Sequence, residues 1–401
     1  MHVLIADKLA SFVAGRLQDL GARIEVDPKL EGESLAARIR ESDPEVLVVR
    51  STKVQQAHFE AGKSLSLVIR AGAGVNTIDL ATASARGVYV ANCPGKNAAA
   101  VAELAIGHLV NLDRRIADNV AALRAHRWDK KTFGEARGLR GRTLAVLGVG
   151  QIGREVITRA RAMGMRIVGW DKFLSAAEAE ALGLELAPTP EAAVSGADAV
   201  TVHLAFVPET DKRIGASVFG AMKPGSYFVN TSRGEVVDEE ALLEACTNKK
   251  IRAGLDVFAK EPSASTAEVN GAVFDHPNVY GTHHIGASTD EAEEAVGEET
   301  VRIVRAYQAG KPIPNCVNLA HKSAATHVVV VRHVDRVGVL AHVLRTLSEA
   351  KHNVEDMQNI VFSGNAAACA RIDVVGEVSQ EVLARIAESP DVFAATVSPI
   401  G

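Results

Sequence analysis

Apolar residues in this chain fall into short runs separated by amphipathic stretches, the alternation expected of a parallel sheet with crossover helices. Val3–Ala6, Glu45–Val49, Ser66–Arg70 and Val88–Ala91 read as buried strands with helical patterns between them. Asn97 is placed to cap a helix running to about Ala122, whose Ala98-Ala99-Ala100 start favours helix. A second α/β region opens at Arg142–Leu147. It continues through Arg166–Trp170, Ala197–Leu204, Ser226–Asn230, Arg252–Asp256 and Asn278–Gly281. A helical pattern from Thr289 to about Ala309 ends at Gly310-Lys311-Pro312-Ile313-Pro314, a break of the kind that closes a domain.

From His327 the pattern changes. His327–Arg332 is a valine-rich strand, and Val339, Leu340, Val343, Leu344 and Leu347 form a helical stripe. Strand-like Asn353–Phe362 and Ala366–Val375, helical Gln380–Glu388 and a last strand near Phe393–Val397 follow. This β-α-β-β-α-β order predicts a separate ferredoxin-like α+β domain. None of the candidate catalytic residues falls in it.

Composition narrows the function. The 401 residues carry 44 basic and 49 acidic side chains, a net charge of −5 that argues against non-specific nucleic-acid binding. Aromatic residues at 4% leave little for stacking on bases. Cys93, Cys246, Cys316 and Cys369 are widely spaced with no C-x-x-C pair, so neither a metal cluster nor a disulfide framework is expected. No apolar run approaches the roughly 18–20 residues of a membrane span. The start, Met1 to Asp7, reads as a strand and not a signal peptide, so the expected location is cytoplasmic.

Gly148-Val149-Gly150-Gln151-Ile152-Gly153 directly follows an apolar strand and opens a helical pattern, Arg154–Met163. In that context the first glycine permits a tight turn, the second a close approach to a pyrophosphate, and the third close helix–strand packing. The helix N-terminus adds free N–H donors. Asp171 ends the next strand, where a carboxylate accepts bonds from an adenosine ribose and repels a 2′-phosphate. The region therefore reads as a Rossmann domain that prefers NAD to NADP.

Arg233, Glu261 and His284 each follow one of the later strands, at the sheet edge where ligands bind. An arginine fork suits a carboxylate and polarises an adjacent oxygen. An imidazole accepts a hydroxyl proton near neutral pH as hydride leaves the carbon. A carboxylate on its other ring nitrogen fixes the tautomer and stabilises the imidazolium. Taken alone, each of the three has a bland reading as a surface charge or structural histidine. Together they suit oxidation of a hydroxy acid. Asp256, beside the strand end, is placed to orient a nicotinamide carboxamide.

Gly148–Gly153 with Asp171, Thr231-Ser232-Arg233-Gly234, Leu255–Phe258 with Glu261-Pro262, and His284–Ser288 resemble the D-2-hydroxyacid dehydrogenase family. Arg50–Val54, Arg70–Val75 and Asn92–Asn97 also resemble that family's substrate loops. The resemblance implies a flavodoxin-like substrate domain (1–93 and 289–320) and an NAD-binding Rossmann domain (94–288). It implies that Arg50 and Arg70 receive substrate anions, including a phosphate, with Gly74, Val75 and Asn97 completing the substrate site. Gly148, Gly150, Gln151, Ile152, Gly153, Asp171, Leu204, Thr231, Ser232, Asp256 and Gly286 would line the cofactor. The segment from Trp128 to Lys131 resembles one that lends a basic residue, here Lys130, to a neighbouring subunit, so a homodimer or homotetramer is expected. Two departures stand out. His283 occupies the place of the family's usual proline, creating a second candidate base, although the spacing to Ile285-Gly286 favours His284. Ala73 stands where a threonine is common.

Residues 326–401 resemble the ACT domain, a regulatory amino-acid-binding module, with His333, Asp335, Gly338 and Asn353 at the effector positions. Asp335 stands where serine-inhibited relatives carry asparagine, and a second carboxylate beside that of serine is unfavourable unless paired. Effector binding and dimerisation both remain open for this module. For the whole chain, the expected substrate is a phosphorylated 2-hydroxy acid. The rivals are another family reductase acting on glyoxylate, hydroxypyruvate or D-lactate, and a non-catalytic NAD-sensing protein.

Overall fold

The computed structural model describes residues 1–262, 266–320 and 322–400, so the final residue of the ACT-like stretch, Gly401, lies outside it. Two compact units, Met1–Asn318 and Leu319–Gly401, make up the chain.

The first unit holds two parallel sheets. Strands β1 (His2–Ile5), β2 (Arg23–Val26), β3 (Val46–Val49), β4 (Leu67–Arg70) and β5 (Tyr89–Asn92) are ordered β2-β1-β3-β4-β5, the flavodoxin-like order. Successive side chains on a strand point to opposite faces, and both faces are covered here, which explains the continuous apolar runs. Val3, Ile5, Val46, Val48, Leu67 and Ile69 pack with Val301, Ile303 and Val304 of the helix Asp290–Gln308. Leu4, Leu47, Val49, Val68 and Val90 pack with Leu35, Ile39 and Phe59 on the other side.

The second sheet comprises β6 (Thr143–Leu147), β7 (Arg166–Trp170), β8 (Glu185–Leu186), β9 (Ala199–Val202), β10 (Tyr227–Asn230), β11 (Arg252–Leu255) and β12 (Val279–Gly281). Its order is β12-β11-β10-β9-β6-β7-β8. The reversal between β6 and β9 is the switch point at which a dinucleotide fold binds its ligand. The helix Ala98–Arg114 lies on this sheet, contributing Ala102, Ala105, Leu109 and Leu112 to the core around Leu144, Val146, Tyr227 and Val229.

The second unit is a four-stranded antiparallel sheet, β14 (Val354–Val361), β15 (Ala367–Val374), β13 (His327–Val334) and β16 (Val392–Pro399) in spatial order. Val329, Val331, Ala370, Ile372 and Val374 form its core with Val343 and Leu347 of one helix and Leu383 and Ile386 of another. The ferredoxin-like expectation holds.

The sequence reading needs four corrections. It passes over β2, because Arg23–Val26 is a half-exposed edge strand with no buried apolar run. It passes over the two-residue edge strand β8 for the same reason. The single helix expected from Asn97 to Ala122 is two, Ala98–Arg114 and Ile116–Arg124. Arg115 between them takes φ +51°, and the Asn111 side chain accepts the Ala117 N–H at 2.9 Å, diverting the backbone from its ladder. The first unit also runs past Gly310–Pro314. Cys316 bridges Ala91, and the Val317 N–H donates to Val90 O at 2.8 Å, so this segment covers the free edge of β5.

Candidate active site

Parallel strands deliver their following loops to one edge, and nearly every candidate residue sits there. Arg50 follows β3 and Arg70 ends β4. The Asp7 carboxylate, just past β1, accepts the backbone N–H groups of Arg50, Ser51 and Thr52 at 2.6, 3.1 and 3.0 Å. Asp7 thereby holds the Arg50 loop, a role the sequence reading missed. The signal was an acid directly after an apolar strand. The Arg70 Nε–H donates to Arg50 O at 2.9 Å.

Arg70 and Arg233 converge on one glycine loop. A Cβ on Gly72 would lie 1.9 Å from Arg70 Nη1, and one on Gly74 would lie 2.5 Å from Arg233 Nη2. Burial, then the like charges of Arg233 and Arg50, bring the Arg70 pKa down to about 10. An anion placed nearby would favour the charged form of this guanidinium. Arg50, Arg70, Gly72, Asn97 and Glu293 line one cavity. Asn97 Oδ1 is buried there without a hydrogen-bond partner among the described residues. Val75 is half-buried, and its carbonyl accepts the Ile78 N–H. Asn92 Nδ2 donates to Ala73 O, bracing the loop from β5.

Arg233 is held by its own loop. Asn230 Oδ1 accepts from the Ser232 hydroxyl at 2.7 Å and from the Ser232 N–H at 3.0 Å. The Asn230 amide in turn donates to Arg233 O at 2.9 Å. Asn230 is a second residue whose role sequence reasoning missed, because a buried asparagine ending a strand looks like packing. Gly234 lies so close to the neighbouring loop that an added Cβ would stand 2.0 Å from the Phe258 carbonyl carbon.

His284 and Glu261 meet directly, with His284 Nδ1 and Glu261 Oε2 2.7 Å apart. The other Glu261 oxygen accepts the Phe258 N–H at 3.0 Å. Burial pushes the Glu261 carboxyl up, but the bonds from His284 and Phe258 and the charges of His284 and Arg233 outweigh it. Its pKa falls below the ordinary value of 4.5. The carboxylate therefore stays charged, and the proton between the two belongs on Nδ1, leaving Nε2 to accept one. His284 itself sits at φ +52°, an uncommon conformation for a residue with a side chain. Asp256 holds it there: its carbonyl accepts the His284 N–H at 2.8 Å. The Asp256 carboxylate, 1% exposed, accepts the Thr282 hydroxyl at 2.6 Å and the Ile285 and Gly286 N–H groups at 2.9 Å. These bonds engage both Asp256 oxygens in the His284 loop. His283 is exposed.

The fingerprint residues fit a dinucleotide. Gly148 has φ +96°, and a Cβ on it would lie 2.6 Å from His203 O; a Cβ on Gly153 would strike Gly148 O at 2.2 Å. A Cβ on Gly150 would meet open space, which is the approach a pyrophosphate needs. Asp171 accepts the Val149 and Phe173 N–H groups at 2.8 Å each, fixing its carboxylate beside the turn with lone pairs to spare. Leu204 lies close against Gly148, and Ile152 packs into the core beneath the helix. Thr231 Oγ1 is buried without a partner among the described residues, a hydroxyl that a cofactor group would satisfy. Gln151 lies across toward Gly95, whose added Cβ would stand 1.9 Å from Gln151 Oε1.

Lys130 is set apart from this assembly. It opens the short helix Lys130–Phe133, is exposed, and among the described residues forms no ion pair. In the C-terminal unit, His333 is buried and its Nε2 pairs with Asn359 Oδ1 at 3.1 Å, Gly338 adopts φ +97°, and the Asn353 amide donates to Glu355 at 2.6 Å. Asp335 is half-buried and its N–H donates to Ala366 O.

Residues 106–286 match the family model described as D-isomer specific 2-hydroxyacid dehydrogenase, NAD binding domain. The D-3-phosphoglycerate dehydrogenase of Methanocaldococcus jannaschii is 37% identical over 321 residues, covering 80% of this chain and 60% of that protein. The D-3-phosphoglycerate dehydrogenase of Mycobacterium tuberculosis is 38% identical over 348 residues, covering 85% and 63% respectively. The chain thus spans about three fifths of the length of these curated relatives. Among solved structures, the holo form of Rhodotorula graminis D-mandelate dehydrogenase superposes with a TM-score of 0.71 at 26% identity, over 80% of this chain and 98% of that one.

Proposed function

The chain belongs to the D-2-hydroxyacid dehydrogenase family, and from that premise we propose that it is an NAD-dependent 3-phosphoglycerate dehydrogenase. It would oxidise 3-phospho-D-glycerate to 3-phosphohydroxypyruvate, the first step of serine synthesis. The observation that carries the reading is the gathering of Arg50, Arg70 and Arg233 around one glycine loop. A substrate with both a carboxylate and a phosphate needs that many cations, and a small unphosphorylated acid does not.

In this reading, residues 1–93 and 289–320 bind substrate and residues 94–288 bind the dinucleotide. Gly148, Gly150 and the N-terminus of the helix Gln151–Ala162 would hold the pyrophosphate, Asp171 the adenosine ribose, and Leu204, Thr231 and Ser232 the remainder. Bound NAD would supply the acceptor for the two electrons and hydrogen leaving C2. Arg233 binds the substrate carboxylate and steadies the oxygen at C2. His284 Nε2 takes the hydroxyl proton, and Glu261 stabilises the imidazolium by its bond to Nδ1. Asp256 positions the loop that carries His284.

A homo-oligomer belongs to the proposal. Ile116, Val120 and Leu123 form an exposed apolar stripe on one helix face, continued by Trp128 at 81% exposure. A second copy covering that stripe would bring Lys130 to a neighbouring site. A narrower acid such as D-lactate is the second reading, favoured by the ion pair that already occupies Arg50. The deciding experiment follows NADH formation across a panel of 2-hydroxy acids. Turnover with 3-phosphoglycerate well above D-lactate and D-glycerate supports the proposal, and the reverse order replaces it with the second reading.

A further inference from the structure

We propose that Glu293 is a specificity-determining residue of the substrate cavity, setting how much negative charge the arginine cluster accepts. The inference rests on reading this cavity as the site of a phosphorylated hydroxy acid.

Glu293 sits in the first turn of the helix Asp290–Gln308, and its side chain lines the cavity shared by Arg50, Arg70 and Asn97. Its Oε1 lies 2.8 Å from Arg50 Nη1, with both side chains about two thirds buried, at 34% and 28% exposed. The turn that carries it is fixed: the Glu293 N–H donates to Thr289 O, and Thr289 Oγ1 accepts the Ala292 N–H. Two further acids lie near the cluster: Asp7, whose Oδ2 is bonded to three backbone N–H groups of the Arg50 loop, and Glu261 by Arg233, whose oxygens are bonded to His284 and the Phe258 N–H. Among the described residues, Arg70 and Arg233 form no ion pair. The cavity thus presents the Arg50 and Arg70 guanidiniums, with Arg233 beside it on the same glycine loop, against one lining carboxylate, Glu293, which reaches Arg50.

That carboxylate acts on an incoming substrate in two ways. It competes for Arg50, and it repels negative charge across a half-buried space where Coulomb forces are less screened than in water. A 2-hydroxy acid bearing a phosphate carries two more negative charges near neutrality than its unphosphorylated counterpart. Glu293 therefore penalises the phosphorylated acid more strongly. It narrows the preference for phosphate while keeping Arg50 ordered when the cavity is empty of substrate.

The test compares the full-length enzyme with Glu293→Gln and Glu293→Ala. The readouts are kcat/KM for 3-phosphoglycerate and for D-glycerate at saturating NAD, with inorganic phosphate as a competitive inhibitor. Glutamine keeps an oxygen that accepts from Arg50 and removes only the charge. The expected result is a rise in the 3-phosphoglycerate to D-glycerate ratio on the order of three- to thirty-fold, carried by KM, with phosphate inhibiting more tightly. An unchanged or lower ratio, with phosphate inhibition unmoved, overturns the proposal. So does wild-type behaviour in Glu293→Gln beside weakened binding in Glu293→Ala, because Glu293 would then only orient Arg50. Should the wild type oxidise D-glycerate and not 3-phosphoglycerate, the substrate reading fails instead, and the phosphate inhibition constants still decide the role of Glu293.

Discussion

At the scale of single residues, the assignment of roles turns on the His284–Glu261 pair. His284→Ala should cut turnover by about 10²–10⁴-fold, the usual contribution of a general base, while NADH binding persists. His283→Ala should retain most activity; the opposite ranking, read in the same steady-state assay, exchanges the two imidazoles. Glu261 makes a pH prediction whose sign follows from its depressed pKa. A carboxylate with a lowered folded pKa stabilises the fold above its unfolded value and loses that contribution as pH falls through the folded value. Wild type should therefore exceed Glu261→Gln in stability above pH 4.5, the ordinary value. The gap should close at lower pH, as followed by urea unfolding. Asp171→Ala should weaken NAD binding and narrow the preference over NADP, because the variant no longer repels a 2′-phosphate. A ratio of the two affinities equal to that of wild type removes Asp171 from this role.

At the scale of elements, the site depends on loops that touch backbone to backbone. Gly234 is the tightest of these contacts, since its neighbour at 2.0 Å is the Phe258 carbonyl carbon and not a flexible side-chain end. Gly234→Ala must separate the Arg233 loop from the loop leading to Glu261. The expected cost is roughly 1–3 kcal/mol, as for overpacking elsewhere, together with a larger loss of kcat/KM. Denaturant midpoints and kinetics on the same preparation check both, and a variant that matches wild type in each would show that the loops separate freely. Gly72 and Gly74 differ, because the atoms they face are the ends of arginine side chains, which can move at the expense of anion binding. The break at Arg115 belongs to this scale too. It turns the chain away from the dinucleotide sheet and leaves Ile116, Val120 and Leu123 facing outward.

At the scale of the whole molecule, the second unit has its own core and its own sheet, and every proposed catalytic and cofactor residue lies in the first. A chain ending at Asn318 should bind NAD and retain activity, with the segment Asn315–Asn318 still pairing along β5. Any response to an amino acid should vanish with the second unit, because coupling requires a binding site that favours one of two states. Calorimetric NAD titration of the truncated chain tests the first point. A folded, NAD-binding truncation without turnover would mean that the second unit completes the site or its assembly. Asp335 makes weak or absent serine inhibition the expectation for the full chain, and inhibition at micromolar serine would contradict it.

Local chemistry was enough to read much of this protein. A strand buried on both faces needs an unbroken apolar run, and a dinucleotide turn needs its glycines at set spacing, so both sheets and Gly148–Gly153 were legible along the chain. The ferredoxin-like unit was legible from its order of periodicities. Edge strand β2 was not, because a half-exposed strand lacks that run, and the break at Arg115 depends on a side chain accepting a backbone N–H six residues away in a folded turn. The pairing of Glu261 with His284 was legible from their joint chemistry, but two other close approaches were decided only by folding: Arg50 to Glu293 across 243 residues, and the Asp7 carboxylate to the Arg50 loop across 43. Those contacts depend on how strand ends stack at a sheet edge and on where the helix Asp290–Gln308 packs. Sequence separation carries no information about either.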